Sequence, residues 1–253
     1  MKEYLSKIIK FWSNAALPAL VIVLLSFAPA MAAADIAVIS TEQLKQFIDQ
    51  KEQMTLIDAR TPAEYREAHI SGAINIPEKE FEATKQQLPT EKDALLVFYC
   101  NGVKCGKSKK VARLVQPLGY TNILVYSEGI PVWEERSFQM ETGPGYGKKI
   151  ETTKLTPGEL DALIKAGDKD YVLVDARDAA EFREGHIPTA INIPAESFAS
   201  NSSVLPKEKK IIVYCNTGSR SYLAYKKLIG LAYPRIYQTL FADWKDAGLT
   251  VVD

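Results

Sequence analysis

Apolar and polar residues follow two kinds of pattern along most of this chain. Helical spacing places Leu44, Phe47 and Ile48 on one face, whereas 94–99 (ALLVFY) and 210–214 (KIIVY) are nearly continuous apolar runs. Such runs are typical of parallel strands buried on both faces. Helical segments that alternate with these strands predict an α/β fold in which a mainly parallel central sheet is flanked by helices.

Short polar motifs predict where several helices begin. Ser40 can cap the first helix, and 156–159 (TPGE) is a capping box with proline in the first turn. The segments 61–64 (TPAE) and 178–181 (DAAE) have the same spacing, and each directly follows a predicted strand. We therefore expect a short helix after each of these strands.

The sequence contains a long internal repeat. Residues 58–77 and 175–194 match without a gap, and fourteen of the twenty positions are identical. The offset is 117 residues there and 115 between Cys100 and Cys215. A period above 100 residues is too long for a solenoid repeat and indicates two duplicated domains. The predicted segments are a signal peptide at 1–34, a first domain at 35–142, a linker rich in glycine and proline at 143–153, and a second domain at 154–253.

The N-terminal residues resemble an export signal. Lys2, Lys7 and Lys10 precede the apolar run 17–27, and small residues follow it. This order is typical of a signal peptide, so we expect an exported, periplasmic protein. The alternative is an uncleaved anchor, because 15–34 is free of charge and long enough to span a bilayer. Contact with a membrane is expected only in that case.

Composition narrows the class of partner. The chain has 31 Lys and Arg against 31 Asp and Glu, so no overall field favours nucleic acid, and we expect no nucleic-acid partner. Its three cysteines cannot form a disulfide framework, and an odd number leaves at least one free thiol. No Cys and His pair has zinc-ligand spacing, so neither a metal nor a cofactor is predicted. The composition is therefore compatible with reactive thiols and with small-molecule partners.

Each buried apolar run ends in a cysteine and a short loop before a helix. The loops read CNGVKCGKS from Cys100 and CNTGSRS from Cys215. Ligands of parallel α/β sheets bind beyond the carboxyl ends of the strands. Backbone N–H groups of such a loop and the positive end of the next helix favour a thiolate, and they can also hold an anion.

The second loop and its upstream repeat resemble a known family. The pattern Cys215-x-x-Gly218-x-Arg220-Ser221 is similar to the active-site loop of rhodaneses, and the repeated 58–77 and 175–194 segments resemble that family's other motif. The resemblance implies a tandem rhodanese, which the predicted signal peptide makes an exported one. It also implies ping-pong transfer of sulfane sulfur from a donor such as thiosulfate, through a cysteine persulfide, to a thiol or another thiophilic acceptor, with cyanide as the assay acceptor.

The candidate site residues follow from the two loops. The predicted catalytic residues are Cys215 and Cys100, and Cys105 is a candidate resolving thiol. The predicted substrate-binding residues are Asn216, Thr217, Gly218, Ser219, Arg220 and Ser221 in the second loop, and Asn101, Gly102, Lys104 and Lys107 in the first.

The sequence leaves several alternatives open. Cys105 can be a bystander thiol, and the loop cations Lys104, Lys107 and Arg220 can be solvated rather than donor-binding. Phosphatases of the same fold place five residues between cysteine and arginine, whereas four lie between Cys215 and Arg220 here. A thiol redox or protein-binding module without turnover is the main rival function.

Histidines and strand-end ion pairs are interpreted as structural. His69 and His186 occupy equivalent positions after the predicted short helices, where an imidazole can hydrogen-bond the turn. A thiol that is already ionised needs no general base. The Asp-x-Arg segments at 58–60 and 175–177 are expected to form ion pairs at strand ends.

Overall fold

The computed structural model describes residues 35–253, and the predicted signal peptide lies outside this range. The first half contains one five-stranded parallel sheet in the order β1-β6-β5-β2-β4 and an antiparallel pair, β3 with β7. Its strands are β1 Ala37–Ile39, β2 Met54–Asp58, β3 Ala68–Ile70, β4 Ile74–Asn75, β5 Leu95–Tyr99, β6 Ile123–Tyr126 and β7 Met140–Thr142. Its helices are α1 Thr41–Asp49, α2 Pro62–Glu67, α3 Phe81–Thr84, α4 Lys107–Val115 and α5 Gly129–Glu135.

The second half repeats this arrangement. Its parallel sheet has the order β11-β10-β8-β9, and Lys154 forms a parallel bridge with Gln238 at the edge where β1 lies in the first half. The strands are β8 Tyr171–Asp175, β9 Ile191–Asn192, β10 Lys210–Cys215 and β11 Ile236–Leu240. The helices are α6 Pro157–Lys165, α7 Ala179–Glu184, α8 Phe198–Asn201, α9 Ser219–Gly230 and α10 Phe241–Asp246. The predicted fold class, two α/β domains with mainly parallel sheets, is confirmed.

Local sequence explains where the helices begin. Ser40, Thr61 and Thr156 each accept a hydrogen bond from the backbone N–H three residues later, and the side chain of that third residue bonds back to the cap. These reciprocal bonds satisfy N–H groups that an open helix end leaves unpaired. The capping boxes expected from the sequence are therefore present.

Each sheet has apolar residues on both faces, as the unbroken apolar runs predict. In β5, Val97 belongs to the cluster that α1 and α5 cover, whereas Phe98 belongs to the cluster that α4 covers. Trp133 and Trp244 are fully buried in equivalent clusters. None of the helices within 35–253 has both the length and the apolar character needed to cross a bilayer.

Candidate active sites

Both candidate thiols lie at the carboxyl end of an inner strand. Cys100 follows β5, the third of five strands, and Cys215 is the last residue of β10. Both are buried, with 1% and 2% of their surface exposed, and both are free thiols. The sheet therefore fixes each sulfur where parallel α/β folds place their ligands.

The loop after Cys215 holds the sulfur through a backbone donor and a hydroxyl. Gly218 N–H donates to Cys215 Sγ at 3.2 Å, and Ser221 Oγ lies 3.4 Å from the same atom. Gly218 has φ of 110°, a conformation that a side chain disfavours, so glycine is needed to turn its N–H inward. The expected cradle is present around Cys215.

A polar network extends from Cys215 to the linker between the domains. Gln238 Nε2 donates to Ser221 Oγ at 2.8 Å, and Thr152 Oγ1 donates to Gln238 Oε1 at 2.7 Å. Ser221 in turn donates to the carbonyl of Gly218 at 3.1 Å. Because Gln238 fills one acceptor position of Ser221, the hydroxyl proton can face either the Gly218 carbonyl or a thiolate on Cys215.

The second loop also lines a cleft. Thr217, Gly218 and Ser219 line this cleft of about 570 Å³ together with Lys149 and Lys154. The carbonyl of Asn216 accepts a hydrogen bond from Ala242 N–H at 3.2 Å, which ties the loop to α10.

Arg220 is engaged by carboxylates at the start of α7. Its Nη2 donates to Glu181 Oε1 at 3.0 Å, its Nη1 also contacts Glu181, and Nη1 lies 3.2 Å from Asp178 Oδ2. The hydrogen bonds with Glu181 raise the pKa of Arg220 and lower the pKa of Glu181. Arg220 is therefore a fixed cation beside the loop, and a donor anion would share it with Glu181.

The first loop brings a second thiol against the first. Cys105 N–H donates to the carbonyl of Gly102 at 2.9 Å, and in this turn the two thiols are close enough to shift each other's pKa. Cys100 Sγ also lies 3.3 Å from Ser108 Oγ, as Cys215 does from Ser221. The structure thus joins the two first-loop cysteines that the sequence left open.

The two thiols of the first loop shift each other's pKa in opposite directions. The interaction with Cys100, the backbone of Lys107 and Asn101, and the charge of Lys107 lower the pKa of Cys105. The same contact with Cys105, together with burial, raises the pKa of Cys100 well above its usual range. The expectation that the loop favours a thiolate at Cys100 stays a prediction.

The cations of the first loop also have partners. Lys107 Nζ lies 3.3 Å from Glu64 Oε2, and Asn101 Nδ2 donates to Glu64 Oε1 at 2.5 Å. Burial alone would raise the pKa of Glu64, but hydrogen bonds from Thr61 and Asn101 outweigh it and lower the pKa to about 2. Lys104 Nζ donates to the carbonyl of Leu205 in the other half of the chain.

The second half of the chain covers the first loop. A Cβ atom added to Gly102, whose φ is 118°, would lie 2.8 Å from Leu231 Cδ2. Lys207 donates to the carbonyl of Leu231 at 2.8 Å; burial lowers the pKa of Lys207, and Cys105 and Cys100 partly oppose that shift. The first thiol pair therefore lies at the contact between the two halves, with Lys207 close to it.

The histidines and strand-end ion pairs have the contacts expected for structural residues. His69 Nδ1 lies 2.9 Å from the Tyr65 carbonyl, and the His186 ring stacks on Phe182. Arg60 Nη2 lies 2.7 Å from Asp58 Oδ2, and both side chains are buried.

Known proteins that are similar to this chain point to one family. The Rhodanese-like domain profile matches residues 40–136 and 156–247, which together are more than half of the chain. The chain belongs to the rhodanese-like domain family. A sulfurtransferase of Allochromatium vinosum is 34% identical over 89 residues, which cover 34% of this chain and 83% of that protein. A thiosulfate sulfurtransferase of Azotobacter vinelandii is 23% identical over 239 residues, covering 76% of this chain and 88% of that protein.

Among solved structures, a thiosulfate sulfurtransferase of Pseudomonas aeruginosa matches this chain. It is 21% identical with a TM-score of 0.38, and the match covers 86% of this chain but 43% of that one.

Sequence reasoning missed several residues of both rhodanese loops. The capping-box spacing predicts only a capping role for Glu64 and Glu181. In the structure, Glu64 also forms an ion pair with Lys107, and Glu181 with Arg220. Their shared position in the internal repeat was a usable signal. Gln238 gave no such signal, because Val125 occupies the equivalent position in the first sheet. Lys207 gave none either, because the cysteines that influence its pKa belong to the other half of the chain.

Proposed function

We propose that this rhodanese moves sulfane sulfur from an anionic donor such as thiosulfate to a thiophilic acceptor through a persulfide on Cys215. The observation that carries the proposal is the cradle at the end of β10, in which Gly218 N–H and Ser221 Oγ face Cys215 Sγ. Hydrogen bonds from such donors stabilise a thiolate. Relatives that are named sulfurtransferases support the same reaction class.

The proposed cycle has two displacements at sulfur. The Cys215 thiolate attacks the outer sulfur of thiosulfate, the S–S bond of the donor breaks, and sulfite leaves with the bonding electron pair. The acceptor, a thiolate or cyanide, then attacks the outer sulfur of the persulfide and regenerates the Cys215 thiolate. The N–H of Gly218 and the nearby Arg220 would offset the negative charge of donor and persulfide.

The direct test is the thiosulfate-to-cyanide assay on the full chain. Cys215→Ser is expected to remove most of the activity, because serine cannot form the persulfide. Cys105→Ser is the matched control, since it alters a thiol in the other domain and should keep most of the turnover. If Cys215→Ser keeps more than about half of the activity, the main site is in the first domain and the proposal is wrong.

We also propose that the protein is exported and acts in the periplasm, on the basis of the charged, apolar and small-residue order of residues 1–34. Expression of the full chain in a Gram-negative host, followed by fractionation and N-terminal sequencing, tests this. A soluble periplasmic product that begins near residue 35 is expected. An intact N-terminus in the membrane fraction would favour the uncleaved anchor, and a cytoplasmic product would contradict export.

A further inference from the structure

The segment that leads into the second domain is fixed beside β11. Gln238 N–H donates to the Thr153 carbonyl at 2.8 Å, and Leu155 N–H donates to the Gln238 carbonyl at 2.9 Å. These two bonds extend the parallel sheet by one short edge segment, in which Lys154 pairs with Gln238. The backbone of Lys154 is therefore held at a fixed position next to the strand that borders β10.

This edge segment and the Cys215 loop line the same cleft of about 570 Å³. Gly218 belongs to the lining, and its N–H is the group that donates to Cys215 Sγ at 3.2 Å. Gln238 also belongs to the lining, and its Nε2 donates to the Gly218 carbonyl at 3.1 Å. The cleft therefore adjoins the residues that hold the reactive sulfur.

The lining of the cleft carries a net positive charge. Lys149 and Lys154 both line it, against one carboxylate, that of Asp243. Neither lysine forms an ion pair within the described part of the chain, whereas Arg220 is paired with Glu181. The two ammonium groups are therefore available to an anionic group of a ligand.

The rest of the lining suits an organic molecule better than a small inorganic anion. Ile150, Leu223 and Leu240 supply apolar surface, and the volume of the cleft is in the range that holds drug-sized ligands. Thr239 also lines the cleft; it is 3% exposed, and its Oγ1 has no hydrogen-bond partner among the described residues. Buried hydroxyls without a partner are rare in folded proteins, and a polar group of a bound molecule would supply one.

At the equivalent edge of the first sheet, an apolar pair replaces the polar one. Val38 pairs with Val125 there, whereas Lys154 pairs with Gln238 in the second domain. Because the two domains repeat one fold, the fold itself does not require a lysine and a glutamine at this edge. The polar pair therefore points to a role at the Cys215 site.

This inference rests on the proposed sulfur transfer at Cys215. We infer that the cleft binds the sulfur acceptor, and that this acceptor is an organic thiol with a carboxylate that Lys149 and Lys154 hold. The acceptor thiolate attacks the outer sulfur of the persulfide, the bond from this sulfur to Cys215 Sγ breaks, and its electron pair returns to Cys215. The transferred sulfur keeps its proton and leaves on the acceptor as a new persulfide, so the step needs no oxidant or reductant.

The transfer arm of the test follows discharge of the persulfide in a single turnover. The full chain is loaded with thiosulfate and freed of donor. It is then mixed with glutathione, a tripeptide thiol that carries carboxylates, or with glutathione diethyl ester, which has the same thiol without them. Loss of about 32 Da, one sulfur atom, from the Cys215 peptide gives the rate.

The double variant Lys149→Gln, Lys154→Gln is expected to slow discharge to glutathione about tenfold or more, the scale for loss of a charge-assisted contact. Discharge to the diethyl ester should stay within about twofold of the wild-type rate. Lys148→Gln is the control, because Lys148 is exposed and does not line this cleft. Equal slowing with both thiols would overturn the inference. Slower loading by thiosulfate with normal discharge would also overturn it, since the cleft would then serve the donor.

The binding arm does not depend on sulfur transfer. S-methylglutathione, whose thioether cannot accept sulfur, is titrated into the full chain with Cys215→Ser and followed by NMR chemical shifts. Saturable binding is expected, and adding Lys149→Gln with Lys154→Gln should weaken it about tenfold or more, whereas adding Lys148→Gln should not. Absence of saturable binding would overturn the inference even for a chain that loads Cys215 with sulfur. Absence of loading would overturn the proposed function instead, so the two failures give different results.

Discussion

At the scale of single residues, the two sites share a serine hydroxyl beside the strand-end thiol. Ser221 and Ser108 have the same contact with their strand-end thiol, at 3.4 and 3.3 Å. Gln238 fixes Ser221 in the second domain. This pair of serines therefore offers a comparison within one chain.

Ser221→Ala is expected to lower thiosulfate-to-cyanide turnover about five- to tenfold. The change removes a hydrogen bond to the Cys215 thiolate that is worth about 1 to 1.5 kcal/mol. Steady-state kinetics of the purified variant give the measurement. Ser108→Ala is the control and should keep the wild-type rate, and equal losses in the two variants would show that the hydroxyls act through folding alone.

Arg220→Ala is expected to raise the KM for thiosulfate about tenfold to hundredfold, the range for loss of a charge-assisted contact of about 1.5 to 3 kcal/mol. Because Glu181 holds the guanidinium, Glu181→Gln should have the opposite effect and lower the KM. Kinetics with thiosulfate concentration varied separate the two variants. A rise in KM for both would mean that the ion pair only holds the loop in place.

At the scale of elements, the capping boxes of α2 and α7 connect each upstream motif to its loop. Glu64 caps α2, accepts from Asn101 and pairs with Lys107, so a carboxylate near the strand end serves both the helix and the first loop. Since hydrogen bonds hold its pKa near 2, the ionised form is favoured in the folded protein.

Glu64→Gln is expected to weaken the acid dependence of stability. A carboxyl whose folded pKa is depressed stabilises the protein above its unfolded pKa of about 4.3, and that contribution is lost as pH falls through the folded value near 2. Urea unfolding from pH 6 down to pH 2 measures the effect, about 1 kcal/mol after solvent screening. Glu159→Gln, a capping residue of α6, is the control and should alter the slope less; identical slopes would contradict the role of the loop contacts.

Local patterns predict the elements well, but not the contacts between them. The capping boxes at Ser40, Thr61 and Thr156 could be predicted because each depends on residues three positions apart. The hydrogen bond from Gln238 to Ser221 could not, because it joins side chains of two different elements. The sequence shows that the first loop is two residues longer than the second, but not how the first loop closes.

At the scale of the whole molecule, the two domains share buried polar contacts. Glu135 at the end of α5 is 4% exposed, pairs with Lys227 of α9 at 2.6 Å, and accepts from Ala199 N–H and Ser200 Oγ. The contacts at Leu205 and Leu231 place the second domain against the first loop. None of these pairs could be predicted from the sequence, because they join positions more than sixty residues apart.

Glu135→Ala is expected to destabilise the chain by about 3 kcal/mol, because it leaves Lys227 without its carboxylate in a buried position. Guanidinium unfolding followed by tryptophan fluorescence measures the change. Glu42→Ala removes an exposed pair with Arg136 and should stay within about 0.5 kcal/mol of the wild type. Similar small losses for both variants would show that the contact between the domains contributes little.

The most direct test of sulfur transfer through Cys215 is peptide mass analysis of the full chain after thiosulfate treatment without acceptor. A persulfide on Cys215 adds about 32 Da to the peptide that contains this residue. Cyanide should remove that sulfur with release of one equivalent of thiocyanate, and Cys215→Ser should show neither event. An unmodified Cys215 peptide in a protein that still converts thiosulfate and cyanide would contradict the central claim.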